Sequence, residues 1–128
     1  MNRALFTNIS EHWSTPKDVY QALDQEFRFT LDPCPLKGAE GLTRSWCGER
    51  VYCNPPYGPG NLKWLRKSRE AQLAVYLLPS RTDTEWWHGW ALLADEVRFV
   101  RGRLKFGGAM HNAPFPSVIL VFRNEATA

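Results

Sequence analysis

The chain has 128 residues, enough for a single domain around one core, so we expect residues 1–128 to fold as one unit. Hydrophobic residues make up 44% of the sequence, which is typical of a packed globular protein. The formal charge of +3 is compatible with a nucleic-acid partner but does not by itself argue for one.

Membrane, disulfide and metal-dependent classes find no support in the sequence. The first ten residues lack the apolar run of a secretion signal, and no later stretch is long and apolar enough to span a membrane, so a cytoplasmic protein is expected. Three cysteines without a signal argue against a disulfide framework. No cysteine or histidine pair has the spacing of metal ligands, so no metal is expected.

The first predicted helix lies in "STPKDVYQALDQEF". Thr15 is suited to cap it, Pro16 to occupy its first position, and Asp18 to complete a T-x-x-D pattern resembling a capping box. A helix here would present one apolar face, formed by Val19, Tyr20, Leu23 and Phe27.

Two predicted strands follow, and each ends in a polar residue next to proline. "FRFTLDP" alternates apolar and polar residues and stops at Asp32, and "RVYC" stops at Asn54. In open α/β sheets, ligands bind at the carboxyl ends of the strands. Asp32 and Asn54 are therefore candidate site residues, although an Asx turn that simply ends the strand also explains Asp32.

Three more strands are predicted in the second half of the chain, alternating with a basic helix after Gly60 and a tryptophan-rich helical segment. They are "AVYLLP", "EVRFVRGRLKF" and "SVILVF", of which the first and last are continuous apolar runs expected to be covered on both faces. The pattern predicts an α/β fold with a mixed sheet of about five strands and helices on both faces.

Basic residues on the fourth predicted strand are candidates for contact with phosphates. Arg101, Arg103 and Lys105 alternate, so an unbroken strand would point all three to one side, unless Gly102 introduces a bulge. A solvated basic face is the alternative interpretation. Arg81 follows a buried strand at the predicted site edge, where it is either a DNA or cofactor contact or an ordinary surface arginine.

The segment "NPPY" after the second strand has the groups needed to activate a weakly nucleophilic amine. The side-chain oxygen of Asn54 and the backbone oxygen of Pro55 can accept the two N–H groups of a nucleobase amine and favour its change towards tetrahedral geometry. Pro56 restricts the backbone, and Tyr57 can stack on a base that has left the duplex. A strand-ending turn is the simpler alternative.

These residues belong to a longer pattern that resembles a known family. The chain is similar to the phage-type (Dam-like) DNA adenine N6-methyltransferases, which depend on S-adenosylmethionine. The resemblance covers most of the chain and rests on "WSTPKDVY", "FTLDPCP", "VYCNPPYG", "LLPSRTDTEWWH", "RGRLKF" and "APFPSVILVF".

The resemblance implies a reduced Rossmann-like methyltransferase fold, double-stranded DNA as substrate, and a phage or prophage origin with activity in the cytoplasm of a bacterial host. It implies that Asp32 meets the methionine ammonium of S-adenosylmethionine and that adenine is flipped towards Tyr57. The implied catalytic residues are Asn54, Pro55, Pro56 and Tyr57. The implied cofactor residues are Trp13, Ser14, Thr15, Pro16, Asp32 and Pro33, and the candidate DNA contacts are Arg81, Arg101, Arg103 and Lys105.

Two other functions remain open at this point. The same two acceptors suit the amino group of cytosine, so a cytosine-N4 DNA methyltransferase is one alternative. A catalytically silent DNA-binding protein with the same fold is the other, because the sequence leaves little room for a full set of cofactor-binding strands between Asp32 and Asn54.

Overall fold

A computed structural model describes residues 14–34, 40–58, 60–106 and 112–124 of the chain. The described part contains three α-helices: α1 (Lys17–Phe27), α2 (Asn61–Arg66) and α3 (Glu85–Gly89). It contains four strands: β1 (Arg50–Cys53), β2 (Leu73–Pro79), β3 (Glu96–Phe99) and β4 (Ser117–Arg123). Short 3-10 helices lie at Glu40–Leu42, Lys67–Glu70 and Ala91–Leu93.

The four strands form one mixed sheet in the order β1-β2-β4-β3. β1 and β2 are parallel, whereas β4 is antiparallel to both of its neighbours, β2 and β3. Strands β1, β2 and β3 therefore run in the same direction, and their carboxyl ends lie at the same edge of the sheet. The predicted mixed sheet with an antiparallel last strand is confirmed.

The predicted number of about five strands is wrong, because "FRFTLDP" contributes only an isolated parallel bridge between Leu31 and Val51. The residues before the bridge complete the end of α1: Arg28 adopts a left-handed conformation with φ 54°, and the backbone N–H of Phe29 donates to Asp24. Pro33, which has no N–H to donate, follows closely. The extended segment is too short for a strand.

Helices cover both faces of the sheet, as predicted. On one face the Tyr52 ring meets Tyr20 of α1 edge-on, at 5.0 Å between centroids. On the other face the buried hydroxyl of Tyr76 donates to the backbone oxygen of Trp64 in α2, over 2.5 Å. Every residue of β2 is buried between these layers, as its continuous apolar sequence predicts.

The fourth predicted strand is shorter than expected. β3 ends at Phe99, and residues 101–105 are irregular, with Gly102 at φ 71°. One further bond follows, from the N–H of Val100 to the backbone oxygen of Ser117, before the chain bends at Gly102. The argument that Arg101, Arg103 and Lys105 share one face of a strand is therefore wrong.

The predicted cap of the first helix is also wrong. α1 begins at Lys17, and Pro16 occupies the cap position without a side-chain hydrogen bond to the helix. Thr15 lies one residue further out, so its hydroxyl does not reach the first turn. The hydroxyl instead bonds to side chains 37 and 39 residues away along the chain.

All three cysteines are free thiols. Cys34 and Cys53 are buried near the carboxyl edge of the sheet. Cys47 is exposed and pairs with Ala71 in an isolated bridge just before β2, so it lies at the opposite edge.

The described ranges contain neither a candidate membrane span nor a candidate metal cluster. No helix in them has the length and apolar character to cross a bilayer. No group of three or more His, Cys, Asp or Glu side chains in these ranges is arranged to hold a metal ion.

Gly41 allows the 3-10 helix Glu40–Leu42 to pack closely on the turn after Asp32. A Cβ atom added at Gly41 would lie 2.0 Å from the backbone oxygen of Pro33, far inside van der Waals contact. The Gly41 carbonyl also accepts a hydrogen bond of 2.9 Å from the indole N–H of Trp46. The position therefore requires glycine for space.

Gly41→Ala should destabilise the fold, because the clash is with backbone and either segment must shift. Overpacking of this kind typically costs about 1–3 kcal/mol, and urea unfolding followed by circular dichroism measures it. Gly89→Ala is the matched control, since a Cβ there meets no atom within 4 Å. Equal unfolding midpoints for the two variants would contradict the role given to Gly41.

Candidate active site

The NPPY segment lies directly after β1, at the carboxyl edge of the sheet. Asn54 is only 7% exposed, and Pro55 is buried. Because proline cannot donate to the ladder, Pro55 ends β1 and lets the chain leave the sheet there. The segment thus begins on a rigid strand rather than on a mobile loop, as the prediction of a strand-end site requires.

The Asn54 side chain is held by the segment that precedes α1. Its Nδ2 donates to the Thr15 hydroxyl over 3.1 Å, and that hydroxyl lies 2.6 Å from the hydroxyl of Tyr52. The carbonyl oxygen of the same amide is buried. Since the amide is planar, anchoring its nitrogen on Thr15 also fixes the direction of the oxygen.

Asn61 is a residue of the site that sequence reasoning missed. It begins α2 and is 2% exposed. With its amide turned so that both ends are satisfied, the amide nitrogen donates to the backbone oxygens of Pro56 and Gly58 over 3.1 and 3.3 Å. The backbone N–H of Asn61 donates to Gly58 as well. A polar residue four positions after Tyr57, at a predicted helix start, is a weak signal that could have indicated this brace.

Tyr57 lies in an aromatic cluster rather than on an open surface. Its ring is 8% exposed and meets Phe115 and Phe106 edge-on, at centroid distances of 5.5 and 6.3 Å. Its hydroxyl donates to the backbone oxygen of Leu77 over 3.4 Å. Stacking of a base on this ring therefore requires neighbouring side chains to move aside, and the stacking role stays a prediction.

Asp32 lies on the same edge as Asn54, because the Leu31–Val51 bridge is parallel and places Asp32 beside Tyr52. Its carboxylate accepts the backbone N–H of Cys34 over 3.2 Å, so the Asx turn considered above is present. The side chain is exposed, yet nearby protein atoms displace enough water to raise the pKa of its carboxyl above 3.8, against the lowering effect of the Cys34 N–H.

The other predicted cofactor residues are only partly placed. Trp13 lies outside the described residues. Ser14 is half-buried and Pro16 is buried, next to Thr15. Pro33 is buried beneath Gly41. The structure brings Thr15 to Asn54, and a cofactor role for these residues stays a prediction.

The four predicted DNA contacts are exposed and lie at the carboxyl edge of the sheet. Arg81 follows β2, and Arg101, Arg103 and Lys105 follow β3, which runs in the same direction. The backbone oxygen of Leu104 accepts the N–H of Ala113, and Phe106 contacts Tyr57. The irregular segment thus leads back to the site, although a DNA role for its basic residues stays a prediction.

A comparison with protein families supplies the decisive finding. The model of the DNA N-6-adenine-methyltransferase (Dam) family matches residues 4–125 of the chain. The chain belongs to the Dam family. This confirms the family inferred from the sequence, and the match spans every predicted site residue, Trp13 included.

Searches of the curated proteins and of the solved structures find no match to this member of the Dam family. Its mixed α/β sheet with helices on both faces is consistent with a methyltransferase fold. The substrate class of the Dam family is DNA.

Proposed function

We propose that the protein transfers a methyl group from S-adenosylmethionine to the exocyclic N6 amine of adenine in double-stranded DNA. The observation that carries the proposal is the fixed amide of Asn54 at the carboxyl edge of the sheet, with its nitrogen on Thr15 and its oxygen buried. Membership of the Dam family supports the choice of adenine.

Asn54 and Pro55 are the residues proposed to act on the amine. The amine lone pair is delocalised into the purine ring, and it becomes nucleophilic when the nitrogen moves towards tetrahedral geometry. The side-chain oxygen of Asn54 and the backbone oxygen of Pro55 accept the two N–H groups and stabilise the developing positive charge. A buried acceptor is not competed for by water, which strengthens this effect.

The rest of the segment keeps these acceptors in place. Pro56 restricts the backbone that carries the Pro55 oxygen, and Asn61 holds the Pro56 and Gly58 oxygens from the far side. Such preorganisation matters because acceptors that must first rotate into position lose part of their advantage. Tyr57 is proposed to contact the flipped adenine after the aromatic cluster opens.

The donor set at this edge fits S-adenosylmethionine, which when bound supplies an activated methyl group. Asp32 offers an exposed carboxylate for the cationic ammonium of its methionine part. The proposal assigns the remaining contacts to Trp13, Ser14, Pro16, Pro33 and the backbone of Thr15, because the Thr15 hydroxyl bonds to Asn54 and Tyr52. The carboxylate proposed to hold the cofactor and the acceptors proposed to hold the base lie at the same edge of the sheet.

The experiment that tests the function uses the purified full chain, labelled S-adenosylmethionine and an unmethylated duplex. Enzymatic digestion of the DNA followed by mass spectrometry identifies the methylated nucleoside, which is expected to be N6-methyl-2′-deoxyadenosine. Detection of N4-methylcytosine instead would show that the protein is a cytosine-N4 methyltransferase. Cofactor and DNA binding without any methylated product would show a silent DNA-binding protein.

Asn54→Ala should lower kcat by about 10²–10³, because one of two preorganised acceptors is lost. Steady-state methylation assays measure kcat, and calorimetry should show little change in cofactor affinity. Asn124→Ala is the matched control, since its amide donates to Ser68 and Ala71 at the opposite edge and its loss should leave kcat unchanged. Wild-type kcat in the Asn54 variant would remove Asn54 from the mechanism.

Asp32→Asn should weaken the binding of S-adenosylmethionine about tenfold or more, because a charge-assisted hydrogen bond is replaced by a neutral one. The pKa of the Asp32 carboxyl is raised, so the wild type takes up a proton here at a higher pH than an ordinary aspartate. Its affinity for the cation should therefore fall as the pH is lowered through that pKa, whereas the variant should lack this fall. Calorimetric titrations at several acid pH values measure both affinities. If the affinity of the variant falls with pH as the wild-type affinity does, Asp32 has no role beyond the Asx turn.

Replacing both Arg103 and Lys105 with alanine should weaken the salt dependence of DNA binding. The slope of the logarithm of the DNA association constant against log salt concentration should flatten by up to about two units, since each phosphate contact contributes about −0.9. Binding should weaken similarly on two unrelated duplexes, because phosphate contacts carry no sequence information. The double variant Arg44→Ala with Arg66→Ala removes the same charge from two exposed residues elsewhere and should keep the wild-type slope. A loss confined to one duplex would show base contacts instead.

A further inference from the structure

A pair of hydroxyl groups connects the segment before α1 to the Asn54 amide. The hydroxyl oxygens of Thr15 and Tyr52 are 2.6 Å apart. The Thr15 oxygen also accepts the side-chain N–H of Asn54 over 3.1 Å. Tyr52 belongs to β1 and is 1% exposed, so it is a rigid support. The Thr15 hydroxyl, which takes no part in capping α1, is committed to these two partners.

The number of available hydrogens determines how the amide is turned. An asparagine amide has a donating and an accepting end of similar shape, and a hydroxyl alone can satisfy either end. The Thr15–Tyr52 bond can run in either direction. We infer that Thr15 is its donor, because Thr15 then has only lone pairs for Asn54 and must receive the N–H. The alternative orientation would direct the amide nitrogen, rather than the oxygen, at the substrate.

Tyr52 is suited to this task because its hydroxyl oxygen offers lone pairs to the Thr15 hydrogen from a buried position on β1. Burial raises the pKa of its phenol, so the group remains a neutral hydroxyl across the range in which a DNA-modifying enzyme works. Its ring is fixed by Tyr20 and Phe29 at centroid distances of 5.0 and 5.3 Å. The oxygen that meets Thr15 therefore has little freedom to move.

We propose that Thr15 is a positioning residue for Asn54, supported by Tyr52, and that the pair sets which end of the Asn54 amide faces the substrate amine. This inference rests on the proposed function of Asn54 as an acceptor. It differs from the cofactor role predicted for Thr15, because it places the effect of the Thr15 hydroxyl on the chemical step.

The kinetic test compares a variant that lacks the Thr15 hydroxyl, a variant that keeps it, and a variant that lacks the Tyr52 hydroxyl. Thr15→Val removes the hydroxyl and should lower kcat about tenfold or more, a part of the loss expected for removing the Asn54 acceptor itself. Thr15→Ser keeps the hydroxyl and should stay within about threefold of the wild type, and Tyr52→Phe should lie between the two. Cofactor affinity, measured by calorimetry, should be similar in all of them.

Thr30→Val is the matched control, because the Thr30 hydroxyl also donates over 2.6 Å, to Glu49, and lies near the other end of β1. This variant should keep the wild-type kcat. A loss in Thr15→Val that falls on cofactor affinity, with kcat unchanged at saturation, would overturn the proposal. So would a serine variant as impaired as the valine variant.

A double-mutant cycle separates this inference from the proposed function. If Thr15 acts through Asn54, adding Thr15→Val to Asn54→Ala should cause no further loss of kcat. Additive losses would show that Thr15 acts elsewhere. If Asn54→Ala loses activity while Thr15→Val does not, the positioning role fails and the acceptor role of Asn54 stands.

A readout that needs no activity completes the test. In a ¹⁵N spectrum of the protein, the Asn54 side-chain NH₂ signals are identified by their absence in Asn54→Ala. They should shift and exchange faster with water in Thr15→Val, and stay near their wild-type positions in Thr15→Ser. Unchanged signals in Thr15→Val would overturn the proposal even if the wild type methylates no DNA.

Discussion

The burial of β2 on both faces is the constraint that organises this molecule. A strand whose seven residues are all buried requires a layer of structure on each side. α1 provides one layer and α2 the other, and both helices begin at the carboxyl edge of the sheet, where Thr15 contacts Asn54 and Asn61 contacts Pro56. The turns at that edge are where Asp32, Asn54 and Arg81 lie, so packing of the core and assembly of the site follow from the same requirement.

α1 is held on the sheet at both of its ends by different forces. At its carboxyl end Arg98 of β3 makes two bonds of 2.6 Å to Glu26, and it also pairs with Glu96. These partners are largely exposed, so the ion pairs contribute little to stability and are screened by salt. At its amino end the contact is the sheltered hydroxyl pair of Thr15 and Tyr52. Added salt should therefore weaken the attachment of the carboxyl end of α1 more than that of its amino end, which supports the site.

The sequence predicted the fold class and the core strands well, because continuous apolar runs such as "AVYLLP" allow little else. It overestimated the strands at positions where a neighbouring element sets the limit. "FRFTLDP" alternates like a strand but is shortened by the end of α1, and β3 stops before the bend at Gly102, whose φ of 71° a strand does not adopt. In the candidate site, Asn54 was predicted from a local motif, whereas the Thr15 contact spans 39 residues. Nothing in one sequence indicates that contact, because Thr15 resembles an ordinary helix cap. The contact of Asn61 with neighbouring backbone leaves only a weak signal, a polar residue at a predicted helix start.

The three thiols differ in burial, and this difference gives the protein a single natural labelling site. Thiol reagents attack the thiolate, and burial raises the pKa of Cys34 to about 12 and that of Cys53 well above its usual range. Both thiols are therefore slow to react, whereas Cys47 is exposed. A maleimide dye or a spin label should attach at Cys47 alone, at the edge of the sheet away from Asn54. The unmodified sequence can thus carry a probe without a cysteine having to be removed beside the site.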